Sequence, residues 1–262
     1  MDRHKISKLN QVLLLLPSGA LAPTIWLARQ GISRQLLDRY EEYNWFTRVA
    51  KGVVHRKGDT PTWQGTVFAL QHLLRINTWV GGKSALGLKG FAHFLPMSNM
   101  PDIQLTSDSV SRLPRWISSL SKVARFEFHK TSLFSKEIPQ SFSEIKFEKI
   151  NIRVSSPERA ILELLEDVPV KQSFEEAELL FENLTTLRPA ILQTLLENCS
   201  SVKVKRLFLY LAEKHSHTWF SQLNETKIDL GKGKRMVAVN GEFNKKYQIT
   251  VPITPSSIER TK

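Results

Sequence analysis

The sequence predicts an α+β protein: an N-terminal winged helix-turn-helix followed by a larger mixed α/β domain. Three observations carry this. Three helix-like runs fall within the first 43 residues, each stopped by a helix breaker or a change of pattern. Two β-prone runs around Ala50-Lys51-Gly52 follow at once. Beyond Gly58, helical and extended runs mix with no internal repeat at a solenoid period. The expected division is a winged helix at 1–58, an α+β domain at 59–255 and a flexible tail at 256–262.

In the first helix Ile6, Leu9, Leu13 and Leu16 recur at helical spacing, and Pro17-Ser18-Gly19 ends it. The second is expected over 23–30, with Pro23 in its first turn and Gly31 at its C-terminal cap. Ser33 suits the N-cap of the third, and Ile32 before it suits a hydrophobic staple with Leu37. Leu36, Leu37, Tyr40 and Tyr43 form the apolar face of that helix, opposite Arg34, Gln35, Asp38 and Arg39. "WFTRV" and "VVHR" then make a hairpin, completing a winged helix.

Further on, "TPTWQGTVFALQHLL" reads as helical, "NTWV" as extended and "GKSALGLKGFAHFL" as helical. "IQLTS", "ARFEFHKTSLF" and "IKFEKINIRV" have strand character, with a short helix at "LPRWISSL" between the first two. "SPERAILELLEDV" opens with a Ser cap and a first-turn proline, further helices run to His215, and "KIDLG", "KRMVAVNG" and "KYQITVP" close the chain as strands.

Charge narrows the partners. The 262 residues carry a formal net charge of +12. Residues 1–58 hold 10 Lys/Arg against 4 Asp/Glu, residues 59–150 hold 11 against 7, and residues 151–262 hold 16 against 14. Within that last third, 151–200 are acidic (4 against 9) and 201–262 basic (12 against 5). Either basic end suits a polyanion; a solvated lysine-rich surface is the plainer alternative. One cysteine, Cys199, excludes an internal disulfide and a cysteine-rich zinc site and fits a reducing compartment. The apolar run Val12 to Leu16 is far short of the roughly 20 residues of a membrane span. It is also shorter than a signal-peptide core, so a cytoplasmic protein is expected.

The third helix is the leading site candidate. In a helix-turn-helix the N-terminal residues of the recognition helix meet base edges, here Arg34, Gln35, Asp38 and Arg39. Arginine pairs bidentately with guanine and glutamine with adenine. Arg48, Lys51, Arg56 and Lys57 on the hairpin would hold phosphates, which position a protein without reading sequence. Glu41 and Glu42 argue mildly against a DNA face, and a winged helix can also dock a protein. Lys203, Lys205 and Arg206, with Lys232, Lys234 and Arg235 in "GKGKR", are accessory contact candidates.

Other motifs have plainer readings. His215 and His217, two apart at a helix end, do not share a helical face; with His93 and His129 they make no zinc pattern. "VGGKSALG" lacks the spacing of a Walker loop. Glu158 and Glu163 in "PERAILELLED" suit a solvated acidic face better than an acid and base pair. We therefore expect no catalytic residue, cofactor or metal. The alternative, a nucleic-acid-processing enzyme, requires clustered acids to hold magnesium.

The run "LNQVLLLLPSGALAPTIWLARQGISRQLLDRYEEYNWFTRVAKGVV" resembles the N-terminal domain of the AbiEi antitoxins, transcriptional regulators of type IV toxin-antitoxin systems. "WQGTVFALQ", "TWVGGKSALGLKGFAHFLP", "SSPERAILELLEDVP", "LRPAILQTLLENCSSVKVKRLFLYLAEKH" and "IDLGKGKRMVAVNGEFNKKYQITVP" resemble successive blocks of the associated antitoxin domain. The resemblance covers nearly the whole chain, and the order of the blocks makes it specific. It implies a regulator that binds repeats in its own promoter as double-stranded DNA. It also implies a C-terminal domain that counters an AbiEii-like nucleotidyltransferase toxin, without requiring a stable complex. "AKGVVHRKG" keeps the basic character of the family's wing, while three acids in the recognition helix leave its base contacts open.

Overall fold

The computed structural model describes residues 8–91 and 100–253. The expectations placed on Ile6, His93 and the tail 256–262 lie outside the described residues. The protein is α+β, with helices and mixed sheets. Its chain gathers into two compact units, one drawn from Met1–Val80, Leu95–Lys130 and Glu144–Val154, the other from Gly81–Phe94, Thr131–Ser143 and Ser155–Lys262. Residue 58 lies inside the first.

The first unit opens with the winged-helix pattern: α1 (Lys8–Leu15), β1 (Leu21–Pro23), α2 (Thr24–Arg29), α3 (Arg34–Glu42), β2 (Phe46–Ala50) and β3 (Val53–Arg56). α1 buries Leu9 and Val12, with Leu16 just beyond its end, and leaves Leu14 and Leu15 exposed. β1 was not anticipated. Pro23 closes this strand and stands at the N-cap of α2, rather than in the helix, and β1 pairs antiparallel with β3 from Leu21↔His55 to Pro23↔Val53. Three residues, all buried, show no alternation by which a strand could be read. The apolar face of α3 is also shorter than its pattern suggests. Tyr43, its C-cap, is 72% exposed, and Asn44 at φ 60° ends the helix.

α4 (Trp63–Phe68) continues into a π turn over Ala69–Leu73, and Thr62 caps it by accepting from Gly65 N at 3.0 Å. The larger sheet comprises β4 (Trp79–Val80), β5 (Asp102–Ser107), β6 (Arg125–Lys130), β7 (Phe142–Phe147) and β8 (Ile150–Ser155), in the order β6-β5-β4-β8-β7. "IKFEKINIRV" is therefore two strands, folded back at Glu148 with φ 51°. The Trp-bearing helix between β5 and β6 is a 3-10 turn, Arg115–Ser119.

The second unit contains α5 (Gly82–Leu88), α6 (Pro157–Asp167), α7 (Phe174–Glu182), α8 (Pro189–Asn198) and α9 (Val202–Lys214). It ends in a small sheet of β9 (Arg235–Met236), β10 (Glu242–Asn244) and β11 (Ile249–Val251), ordered β10-β11-β9. "KIDLG" is not a strand: Lys227 ends the 3-10 turn Glu225–Lys227, and residues 228–231 lie in no helix or strand. The solvated acidic face expected of α6 is not solvated. Glu158, Arg159 and Glu163 are each at most 3% exposed, because partners distant in sequence reach them.

Candidate nucleic-acid interface

The turn between α2 and α3 follows from two residues. Gly31 takes φ +81°, a conformation that costs an L side chain strain, and Lys8 Nζ donates to its carbonyl at 3.3 Å, pinning α1 to the turn. Ser33 Oγ accepts from Leu36 N at 3.2 Å, so the expected cap forms. Ile32 and Leu37, the two residues of the expected staple, are both buried.

This leaves one face of α3 to solvent. Arg34, Gln35, Asp38 and Arg39 are all exposed. Among the described residues no side-chain hydrogen bond or ion pair engages Arg34, Gln35 or Arg39. Asp38 differs. Arg48 on β2 lies 3.7 Å from its carboxylate and donates through Nη2 to Glu41 at 2.9 Å. Two of the three acids on α3 thus face Arg48, which lowers their repulsion toward a polyanion. The same pairing engages Arg48, one of the expected phosphate contacts.

The hairpin is short. Pro23↔Val53 is the last pair of the β1 and β3 ladder, Thr24 N donates to Gly52 O at 2.9 Å, and Gly52 turns the chain at φ +94°. Lys51 at this turn and Lys57 after β3 are both exposed. Arg56 is a correction to the expected phosphate set. Its guanidinium donates to Leu13 O at 2.8 Å and to Leu16 O, so it satisfies carbonyls at the C-terminal end of α1. Arg29, exposed in the last turn of α2, is a further cation outside the expected set.

Half of the accessory set is also corrected. Lys203 Nζ donates to Glu166 O at 2.8 Å and to Val168 O, Lys205 is 5% exposed, and Arg206 is 3% exposed. Arg206 donates to the carbonyls of Leu230, Gly231, Gly233 and Gln248, so it organises the basic turn rather than meeting a ligand. Lys232 and Lys234 are exposed on that turn; Lys234 lies over the Phe243 ring, and Arg235 bonds the carbonyls of Lys232 and Lys234.

The remaining motifs are structural. The N-terminus of α5, in the run that lacks Walker spacing, holds a carboxylate: Gly82 N donates to Glu163 Oε2 at 3.0 Å. Glu163 also accepts from Ser155 Oγ at 2.8 Å and from Arg159 Nε at 2.8 Å. Glu158 is clamped by Arg188 at 2.9 Å. His217 bonds Phe181 O at 3.0 Å and stacks on Trp219, and burial lowers its pKa. Burial pushes the Cys199 thiol up to about 11, which disfavours a reactive thiolate. Among the described residues no three His, Cys, Asp or Glu side chains gather as a metal site, and no helix is long and apolar enough to cross a membrane.

A family model described as "Transcriptional regulator, AbiEi antitoxin, Type IV TA system" matches residues 100–252, and a second, for the AbiEi antitoxin N-terminal domain, matches residues 5–97. No curated protein matches the chain. Among solved structures, the RV2827C protein from Mycobacterium tuberculosis is similar over 99% of this chain and 96% of that one, at 13% identity and a TM-score of 0.55, a likeness of fold alone. On these matches the chain belongs to the AbiEi antitoxin family of transcriptional regulators of type IV toxin-antitoxin systems.

Proposed function

We propose that the protein binds duplex DNA through α3 and the hairpin, represses the promoter of its own operon, and opposes an AbiEii-like nucleotidyltransferase toxin through its C-terminal domain at 59–255. The observation that carries the DNA reading is the exposed quartet opened by Ser33, in which Arg34, Gln35 and Arg39 have no partner among the described residues. Arg34 and Gln35 stand in the first turn of α3, where a helix entering the major groove meets bases. Lys51 and Lys57 supply phosphate contacts. The cytoplasm is the compartment in which this activity belongs. We infer a non-catalytic role: Glu158 and Glu163, the acids nearest to an acid and base pair, are buried and held by arginines.

Lys51 and Lys57 are the two phosphate contacts of this reading, and they contribute about −2 to the slope of the logarithm of affinity against the logarithm of salt. Titrating the full chain onto its upstream promoter duplex and onto a random duplex tests both roles. Arg34→Ala is expected to cost about 1–3 kcal/mol on the promoter duplex alone, and Lys51→Ala to flatten the slope by about one on both. Equal losses on the two duplexes for Arg34→Ala would remove it from base reading.

A further inference from the structure

The short hairpin leaves few cations free at its tip, yet its turn is not isolated. A Cβ built on Gly52 would stand 3.9 Å from Cδ1 of the buried Trp116, in the 3-10 turn between β5 and β6. Lys51 and Arg115 flank this contact, one residue from it on either side. The stretch from Ser109 to Val123 carries Arg112, Arg115 and Lys122 with no aspartate or glutamate and with five serines. All three cations are exposed and, among the described residues, none has an ion pair or side-chain hydrogen bond. Arg125, immediately beyond, contrasts with them: Asp102 binds it in two hydrogen bonds at 2.5 and 2.8 Å.

Resting on the DNA reading above, we propose that Arg112 and Arg115 extend the phosphate-binding surface from the hairpin tip onto the β5 to β6 connection, so that the duplex is gripped beyond the winged helix. The partner is the nucleic-acid backbone rather than a base edge. The cations are continuous with Lys51 through the contact between Gly52 and Trp116, and no carboxylate within the stretch would repel phosphate.

The test uses the full chain, the promoter duplex, a random duplex of equal length and salt from 50 to 200 mM. Arg112→Gln with Arg115→Gln is expected to weaken both duplexes by the same factor and to flatten the salt slope by about 1.8, or 0.9 for each lost contact. Arg115→Lys, which keeps the charge, restores about half of that slope when Arg112 remains Gln. Because both side chains are exposed, an unchanged melting temperature verifies that the variants are folded. An unchanged slope for the double variant, with Lys51→Ala still flattening it, would overturn the extension and leave the hairpin reading standing. Loss confined to the promoter duplex would assign these arginines to bases and also overturn it. Absence of binding by the unsubstituted chain removes the underlying reading itself.

Discussion

Arg159 is a guanidinium with almost no access to water, seated 4.5 Å from the Phe134 ring centre and 4.3 Å from that of Phe142. It bonds Ser141 Oγ at 3.3 Å as well as Glu163. The pair therefore ties together all three chain segments of the second unit: Glu163 reaches Gly82, and Arg159 reaches 134–142. At this scale the sequence is informative about caps and silent about such partners. Ser33 and Leu36 are neighbours, so the cap was legible; Gly82 lies 81 residues from Glu163, and a helical pattern alone reads that acid as solvated. Arg159→Met is expected to cost about 3–5 kcal/mol, since it removes the charge opposite a buried carboxylate. Chemical denaturation checks this, with exposed Lys171→Met changing stability by less than about 0.5 kcal/mol. Glu166 gives the pH-dependent counterpart. Burial raises its pKa despite the bond from Thr131 Oγ1 at 2.7 Å, with Asp167 and Glu163 adding to the rise and Lys203 opposing it. Between the unfolded carboxyl value of about 4.3 and this raised value, the folded chain holds a proton the unfolded chain has lost, so stability falls as pH rises through the window. Glu166→Gln is therefore expected to melt above the parent at pH 7, with the gain gone below about pH 4. A gain equal at both pH values would refute the titration.

Elements were legible where periodicity had room to show itself. α6, with 11 residues and a first-turn proline, and α9, with 13 residues and a Ser201 cap accepting from Val204 N, repeat enough turns to display an apolar face. β1 and β10, at three residues each, do not; β1 also pairs with β3 far along the chain, whereas β10 pairs with β11 just after it. Close backbone approaches are likewise invisible in a pattern of letters. Gly65 in α4 shows no unusual φ, but a Cβ there would lie 2.0 Å from Gly19 O and 2.7 Å from Ala20 Cα. Backbone cannot yield as a side-chain tip can, so α4 would have to withdraw from the chain entering β1. Gly65→Ala is expected to lower stability by about 1–3 kcal/mol or more, measured as a fall in denaturation midpoint at constant m-value. A midpoint unmoved by the methyl group would mean that the two backbones are not held at this distance.

Across the molecule, the net charge overstates what a polyanion can meet. Arg159, Lys205 and Arg206 are buried, and Arg48 and Arg56 serve the winged helix itself. The winged helix is in turn embedded in its unit. Gly19 N donates to Asp59 Oδ2 at 3.3 Å, Thr62 N donates to Gly19 O at 3.1 Å, Gly65 abuts Gly19, and Gly52 rests by Trp116. All four partners lie beyond residue 58, and one lies beyond residue 100. A fragment of residues 1–58 keeps the residues proposed to meet DNA while losing the contacts that fix the loop between α1 and β1 and the hairpin tip. It would also expose the apolar surface that α4 covers, at about 25 cal/mol for each Å². A domain this small buries too little surface to absorb those losses. The fragment is therefore expected to melt broadly and well below the full chain, with weaker binding to promoter and random duplexes alike. Circular dichroism melts of the two proteins decide it: a cooperative transition in the fragment at the temperature of the full chain would show that residues 1–58 stand alone.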